Sequence, residues 1–278
     1  MFTQKIETTK KCEILLVGNE LLIGKTRDYN SYWLGKQLTP FGISIVRTTI
    51  ILDDVEMISD VLKEILAREP EFLFISGGLG PTFDDQTVQG IAKGLKKDLV
   101  LDDTALTWIK ERYAQGHKLG IIANPELNES RIKMAYLPKG SKPLKNTMGS
   151  APGILIFEHK TRIFILPGVP RELQAIFNEV IAPMLKEENP DIKFHESGFY
   201  VRQIGESTMA KKILEFMKEI DDRVWIKSHP RYKDEKTFVE MHISGYGDEK
   251  FEKVVMRAAK KVRKIILSLG GEIEEKNN

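Results

Sequence analysis

Cysteine is nearly absent from this chain of 278 residues: Cys12 is its only one. A single thiol cannot close an intrachain disulfide or build a cysteine zinc site. Beside an apolar stretch, it reads as a small buried hydrophobe. Long apolar runs are missing too. None approaches the ~20 residues that a bilayer-spanning helix needs. The polar start, Met1 to Lys11, lacks the apolar core of a secretory signal. The expected location is therefore the cytoplasm, with no membrane partner. Neither charge sign is in excess, since 42 Lys and Arg stand against 40 Asp and Glu for a net +2. Composition thus gives no argument for nucleic acid or an anionic membrane. The five histidines lack His-Glu-x-x-His metal spacing. Repeats and low-complexity tracts are absent. What remains, 41% hydrophobic and 29% charged, is a soluble globular composition with room for one large domain or two modest ones.

The apolar pattern alternates between two periods. Glu13 to Val17 is a short run ending at Gly18 and predicts a central strand. Asn30 to about Leu38 predicts a helix, stopped by Pro40 and Gly42. Ile43 to Leu52, rich in β-branched residues, predicts a second strand. Asp53 or Asp54 then caps a helix whose Ile58, Val61, Leu62, Ile65 and Leu66 share one face. Phe72 to Ile75 reads as a buried strand, and Val88, Ile91, Ala92 and Leu95 as an amphipathic helix. Thr104 to Gln115 and Glu126 to Ala135 also read as helical. Ile154 to Phe157 and Arg162 to Leu166 predict a hairpin at a sheet edge. A helix follows from Arg171 to about Glu188, with a possible kink at Pro183. Strands alternating with helices argue for a mostly parallel sheet covered on both faces.

The pattern changes after Asn189-Pro190-Asp191. Ser197 to Ile204, Arg223 to Ser228 and Thr237 to Gly245 predict strands. Glu206 to Glu219 and Asp248 to Leu269 predict helices. The order is a split β-α-β-β-α, a small α+β unit, and the charged tail Glu272 to Asn278 reads as frayed. The expected domains are 11–189 and 195–278.

Four loops at predicted strand ends carry unusual chemistry. The most distinctive is Ser76-Gly-Gly-Leu-Gly-Pro-Thr-Phe-Asp-Asp-Gln-Thr87. Bare glycine amides favour phosphate oxygens, and the paired Asp84 and Asp85 favour a hard divalent cation such as Mg²⁺. The others are Gly18-Asn19-Glu20 with Gly24, Asp28 and Asn30; Asn146 with Gly149-Ser150-Ala-Pro152-Gly153; and Leu166-Pro167-Gly168-Val-Pro170 with Glu172. Ligands of parallel sheets bind beyond the carboxyl ends of strands. Each loop also has a plainer reading. Glycine with proline makes turns, Asn30 and one of Asp84 and Asp85 suit helix N-caps, and Glu172 suits a helix first turn. Taken jointly, they point to a phosphate-bearing ligand with a hard metal ion.

In this order the four motifs resemble those of the CinA family, within the molybdopterin-binding, MoaB/MogA-like superfamily. The resemblance covers about 160 residues, and the second half is similar to the KH-like middle domain of CinA. It implies a three-layer α/β/α fold, a small KH-like α+β domain and a homodimer. It also implies a divalent-metal-dependent pyrophosphatase that cleaves ADP-ribose to AMP and ribose 5-phosphate, with Mg²⁺, Mn²⁺ or Co²⁺. Non-catalytic binding of molybdopterin or an adenine nucleotide, and hydrolysis of FAD, are the alternatives. On this reading Asp84 and Asp85 hold the metal and its water, and Glu20 completes the shell or acts as base. Gly77, Gly78, Gly80 and Thr82 present donors to phosphate, beside Ser76. Asn19, Asp28, Asn30, Asn146 and the Gly149–Gly153 loop with Ser150 and Pro152 bind the rest of the nucleotide. Pro167, Gly168, Pro170 and Glu172 shape its end. Full-length bacterial members carry a further domain that deamidates nicotinamide mononucleotide. With the chain ending at Asn278, that activity is not expected. The basic face of the last helix invites an RNA reading, but the region lacks the Gly-x-x-Gly loop of KH domains, and nucleic acid is not an expected partner.

Overall fold

The computed structural model describes residues 10–188, 193–233 and 236–276. They fall into two compact units, Lys10–Leu38 with Ile43–Glu188, and Thr39–Gly42 with the residues from 193 onward. No described helix is long and apolar enough to cross a membrane.

In the larger unit, β1 (Lys10–Val17), β2 (Ile43–Ile51) and β3 (Phe72–Ser76) are parallel. β4 (Leu99–Leu101) and β5 (Tyr136–Pro138) form a separate pair. β6 (Lys142–Leu144), β7 (Gly153–Glu158) and β8 (Thr161–Leu166) complete a six-stranded sheet in the order β2-β1-β3-β8-β7-β6. β8 runs parallel to β3, whereas β7 is antiparallel to both of its neighbours. The helices are α1 (Asn19–Leu22), α2 (Asn30–Leu38), α3 (Val55–Leu66), α4 (Thr87–Gly94), α5 (Asp103–Lys118), α6 (Glu129–Lys133), α7 (Pro170–Ile176) and α8 (Ala182–Glu188).

Side-chain alternation along the strands gives the sheet two apolar faces. On one, Leu15, Leu73 and Ile75 meet Ile58 and Leu62 of α3, Ile91 of α4 and Ile109 of α5. On the other, Phe74 stacks on Phe164, and Trp33 of α2 meets Phe177 edge-on. Helices on both faces make the unit a three-layer α/β/α fold.

The smaller unit contains β9 (Lys193–Arg202), α9 (Glu206–Met217), β10 (Val224–Lys233), β11 (Lys236–Gly247), α10 (Phe251–Ser268) and β12 (Glu272–Glu275). Its antiparallel sheet has the order β10-β11-β9-β12. Phe199, Val201, Met241 and Ile243 pack against Val255, Val262 and Ile266 of α10 and Met209 of α9.

Several sequence expectations need correction. The β7–β8 hairpin lies inside the sheet; the edge is β6, a short strand whose Pro143 suits an edge because it has no N–H for a further partner. Both hairpin strands are buried along most of their length, which an edge does not permit. The expected helix Glu126 to Ala135 shrinks to α6, because Asn128 caps at Arg131 N and starts the helix late. The helix from Arg171 widens into a π turn at Phe177–Ile181, directly ahead of Pro183. Pro183 has no N–H to continue the α-helical ladder. The start of the expected frayed tail is instead strand β12, with Ile273 opposite Val201 and Arg202 paired with Glu274. Asn277 and Asn278 lie outside the described residues.

One charged pair crosses the base of the larger unit. Glu13 is only 3% exposed, and Arg68 holds it with two hydrogen bonds of 2.8 Å. Removing the cation leaves a buried carboxylate without its partner. Arg68→Ala is expected to cost about 2–3 kcal/mol, below a fully buried pair because Arg68 keeps contact with water. Denaturant unfolding measures it, and Glu13→Leu with Arg68→Met should recover most of the loss.

Candidate functional site

The carboxyl ends of β1, β2, β3 and β8 border a cleft of about 500 Å³. Its floor is the loop after β3. Gly77 has φ +113°, and a Cβ there would collide with the Val17 carbonyl at the end of β1. Gly78 has φ +63°, and a Cβ would strike Thr87 and Asp53. Only glycine allows these backbone paths. The Gly77 N–H donates to Leu166 O at 3.1 Å, which ties β3 to β8. It is therefore not available to a ligand. The N–H groups of Gly78, Leu79 and Gly80 have no hydrogen-bond acceptor among the described residues.

Carboxylates cluster around this loop. Asp53 extends from the end of β2. Its Oδ1 accepts from Gln86 N at 2.9 Å, and its own N–H donates to Asn19 Oδ1 at 3.0 Å. It thus links the first loop to the glycine loop. Burial pushes the Asp53 carboxyl up to about 6, and neighbouring Asp85 and Asp84 add to the rise. The Gln86 N–H and Lys133 pull the other way. Asp85 Oδ2 accepts from Thr82 N at 2.9 Å and from the Thr82 hydroxyl. That hydroxyl also lies beside exposed Asp84 and, with the Asp84 N–H, holds its carboxyl below the usual carboxylate range. Lys133 of α6 donates to Thr82 O at 2.7 Å and Asp85 O at 2.6 Å, clamping the loop.

Neither aspartate of the pair caps α4. The cap is Gln86, with no side-chain hydrogen bond. The expected cap role fails because Asp85 turns back to close the loop on Thr82. Asp54, not Asp53, caps α3 by accepting from Met57 N.

The cleft wall brings together Asn19, Glu20, Gly77, Gly78, Gly80, Asp84, Asp85, Ser150, Pro167, Gly168 and Glu172 from the sequence expectation. The rest stand elsewhere. Asn30 is buried, and its amide donates to Ser76 Oγ at 2.9 Å and Gly168 O at 2.8 Å. Ser76 in turn donates to Pro167 O at 3.1 Å. Asp28 accepts from Ser31 N at the entry to α2, so it closes a local turn. Asn30, Asp28, Ser76 and Pro170 border a small separate cavity of about 70 Å³ that shares Glu20 and Gly168 with the cleft. Asn146 accepts from Gly149 N and donates to Glu172 Oε2, both at 2.8 Å, so it folds its loop and orients Glu172. Thr82 is engaged with Asp85, Gly153 starts β7, and Pro152 faces an adjoining chamber.

Two residues escape the sequence reading, Asp53 in the cleft and Lys133 behind the glycine loop. Asp53 carried a signal, a carboxylate directly after a strand, but was assigned with Asp54 to helix capping. Lys133 carried none, since its role depends on a chain reversal far from the glycine loop. Among the described residues, no three His, Cys, Asp or Glu side chains stand together so as to hold a metal ion by themselves. Asp84 and Asp85 fit only the smaller share of a hard cation's shell, one or two carboxylates completed by water and phosphate oxygens.

Comparison with known proteins agrees with this architecture. The family profile described as "Probable molybdopterin binding domain" matches residues 13–187. A protein from Metallosphaera sedula is 38% identical over 269 residues, covering 96% of this chain and 98% of its own. One from Pyrococcus abyssi is 40% identical over 245 residues, covering 88% and 94%. The crystal structure of CinA from Thermoplasma acidophilum, a protein described with unknown function, aligns with TM-score 0.57 and 34% identity over 64% of this chain and 99% of that one. With four glycine-bearing loops on one strand-end rim and a profile spanning more than half of its length, the chain belongs to the molybdopterin-binding-domain family and is CinA-like in its larger unit.

Proposed function

We propose that the cleft hydrolyses a nucleotide pyrophosphate, ADP-ribose by preference, to AMP and ribose 5-phosphate, with a divalent cation. The observation that carries this reading is the set of free N–H groups at Gly78–Gly80 on the same wall as Asp53, Asp84, Asp85 and Glu20. Free backbone donors suit phosphate oxygens, and carboxylates suit a cation and a water. A Mg²⁺, Mn²⁺ or Co²⁺ ion shared by Asp84, Asp85 and the phosphates would neutralise charge on the reacting group.

The chain's own groups supply the rest. The Gly78–Gly80 amides hold phosphate oxygens, and Ser150 and Glu172 border the same cleft. Asp53, with a proton affinity raised to about 6, is the group suited to take a proton from the attacking water near neutral pH. Water attacks one phosphorus, and the bridging oxygen leaves with the other phosphate. Lys133 keeps the loop closed during these events.

A second reading is non-catalytic binding of molybdopterin or an adenine nucleotide. The family profile over residues 13–187, described as a probable molybdopterin binding domain, favours it. The same cleft would serve FAD if the substrate is a flavin nucleotide. Proposed partners are thus a small nucleotide and a second copy of the chain, and the proposed location is the cytoplasm.

Purified protein assayed with ADP-ribose and FAD under each of the three metals tests the reaction. Asp84→Ala and Asp85→Ala, singly and together, are expected to lower kcat by roughly 100-fold or more with the fold retained. Unchanged turnover in the double variant refutes the assigned roles, and tight binding without turnover favours the second reading. Asp53→Asn is expected to lower kcat by about 100-fold. It also has a signature in stability. The folded chain holds the Asp53 proton up to about 6, whereas the unfolded chain releases it near ~4. Between those values the folded state binds more protons, so this group lowers stability as pH rises through the window. The melting temperature of Asp53→Asn should therefore match wild type at pH 4 and exceed it at pH 7.

A further inference from the structure

The smaller unit carries a cavity of its own, about 830 Å³, bounded by the end of β9, the start of α9 and the β10–β11 pair. That volume suits a nucleotide-sized ligand. Three side chains on neighbouring strands form one wall. Arg231 of β10 stands opposite Phe238 of β11, and the Arg202 guanidinium of β9 lies 5.7 Å from the centre of the Phe238 ring. Tyr200 meets the same ring edge-on. Two strand spacings, about 10 Å, separate the two arginine backbones, and a phosphate or diphosphate between them lies within reach of both.

The arginines are only partly engaged within the protein. Arg202 donates from Nε to Glu274 at 2.6 Å, and Arg231 from Nε to Glu240 at 2.8 Å. Among the described residues, their Nη groups have no hydrogen-bond acceptor. Lys276 also pairs with Glu240, so three cations face two carboxylates in this network. A guanidinium with its outer donors free presents a fork that matches phosphate oxygens. The remaining lining groups suit the rest of a nucleotide. Tyr232 is 72% exposed and offers a ring for stacking. Glu206 accepts from the Ser228 hydroxyl through Oε1, which leaves Oε2 for a ribose hydroxyl.

We propose that this cavity is a second nucleotide site, built from residues that the cleft does not use, with Arg202 and Arg231 on the phosphate, Glu206 on the ribose and Tyr232 under the base. The chemistry it takes is a 5′-phosphorylated nucleoside, either a free mononucleotide or the end of a nucleic acid strand.

Photolabelling of the full chain with 8-azido-AMP, followed by peptide mapping, tests the site. Label is expected at or beside Tyr232, competed by AMP and by inorganic pyrophosphate. Arg202→Gln with Arg231→Gln should lower this labelling about tenfold or more. The fold should be retained, because exposed ion pairs contribute little to stability. Arg231→Lys keeps the charge without the fork and should weaken labelling as well. AMP should compete about tenfold better than its 2′-deoxy analogue, and Glu206→Gln should erase that preference. A 5′-phosphorylated tetraadenylate that displaces the label at lower concentration than AMP identifies a strand end as the source, and the reverse order identifies the free nucleotide. Label confined to the cleft loops overturns the second site and leaves the proposed function of the cleft intact. Undiminished label beside Tyr232 in the folded double-arginine variant overturns the phosphate assignment. Label beside Tyr232 alone keeps this site and counts against a nucleotide in the cleft.

Discussion

The rim of the larger unit depends on how closely the Gly77 backbone approaches the Val17 carbonyl. No side chain fits between them. This contact brings the end of β3 over the end of β1, and the Gly77 N–H then reaches Leu166 O at the end of β8. Gly168, just beyond β8, lies against Gly77, and the Asn30 amide joins Gly168 O to Ser76 Oγ. Three strand ends and the start of α2 are thereby fixed around one residue. The free N–H groups of Gly78–Gly80 follow from the same geometry. A loop held by its first glycine has no further need of the later amides.

Bringing carboxylates to such a rim has an electrostatic cost, and the structure offsets it unevenly. Asp85 is well served, with the Thr82 N–H and hydroxyl as donors. Lys133 adds a positive charge, although its hydrogen bonds go to backbone carbonyls. Asp53 is left with burial and two negative neighbours against the Gln86 N–H and the Lys133 charge, and its proton affinity rises accordingly. The three aspartates therefore differ in character although they lie on one loop system. One closes the loop, one is exposed and readily ionised, and one holds its proton toward neutrality. Environments that push titratable groups apart in this way are characteristic of sites that handle protons.

Much of this was legible in the sequence where a pattern was long or chemically unusual. The all-buried run Phe72–Ser76 and the α3 stripe from Ile58 to Leu66 each leave one reading open, and the three glycines after β3 mark a tight loop. Legibility ended where a short pattern had to be resolved by backbone direction. Asp53 and Asp54 are adjacent carboxylates ahead of a helix, and only the extended backbone at Asp54 shows which one caps. β12 has a single partly buried apolar residue, Ile273, so a pairing strand and a charged tail look alike until β9 is present beside it. The hairpin β7–β8 was readable as a pair, but its place inside the sheet depends on β6, three residues with a proline. Lys133 depends on a contact 48 residues away in sequence, from its Nζ to Asp85 O.

The motif residues also divide in a way that sequence alone does not reveal. Asn30, Thr82 and Asn146 have the donors and acceptors of ligand-binding groups, and the Asn30 amide donor and both kinds of group on Thr82 and Asn146 are used within the protein. Asn30 bridges Ser76 and Gly168, Thr82 closes on Asp85, and Asn146 turns its loop and aims Glu172. A polar residue at a strand-end rim can contact the ligand or hold the loop that does, and both tasks select the same amino acids. Among the described residues, the groups left open to a ligand are fewer than the motifs suggest: the amides of Gly78, Leu79 and Gly80, the Glu20 carboxylate, the second oxygen of Asp53 and the exposed Asp84 carboxylate. A substitution at Asn30 should therefore act like a displaced loop, altering several ligand contacts together, whereas one at Asp84 should remove a single charge from an otherwise intact cleft.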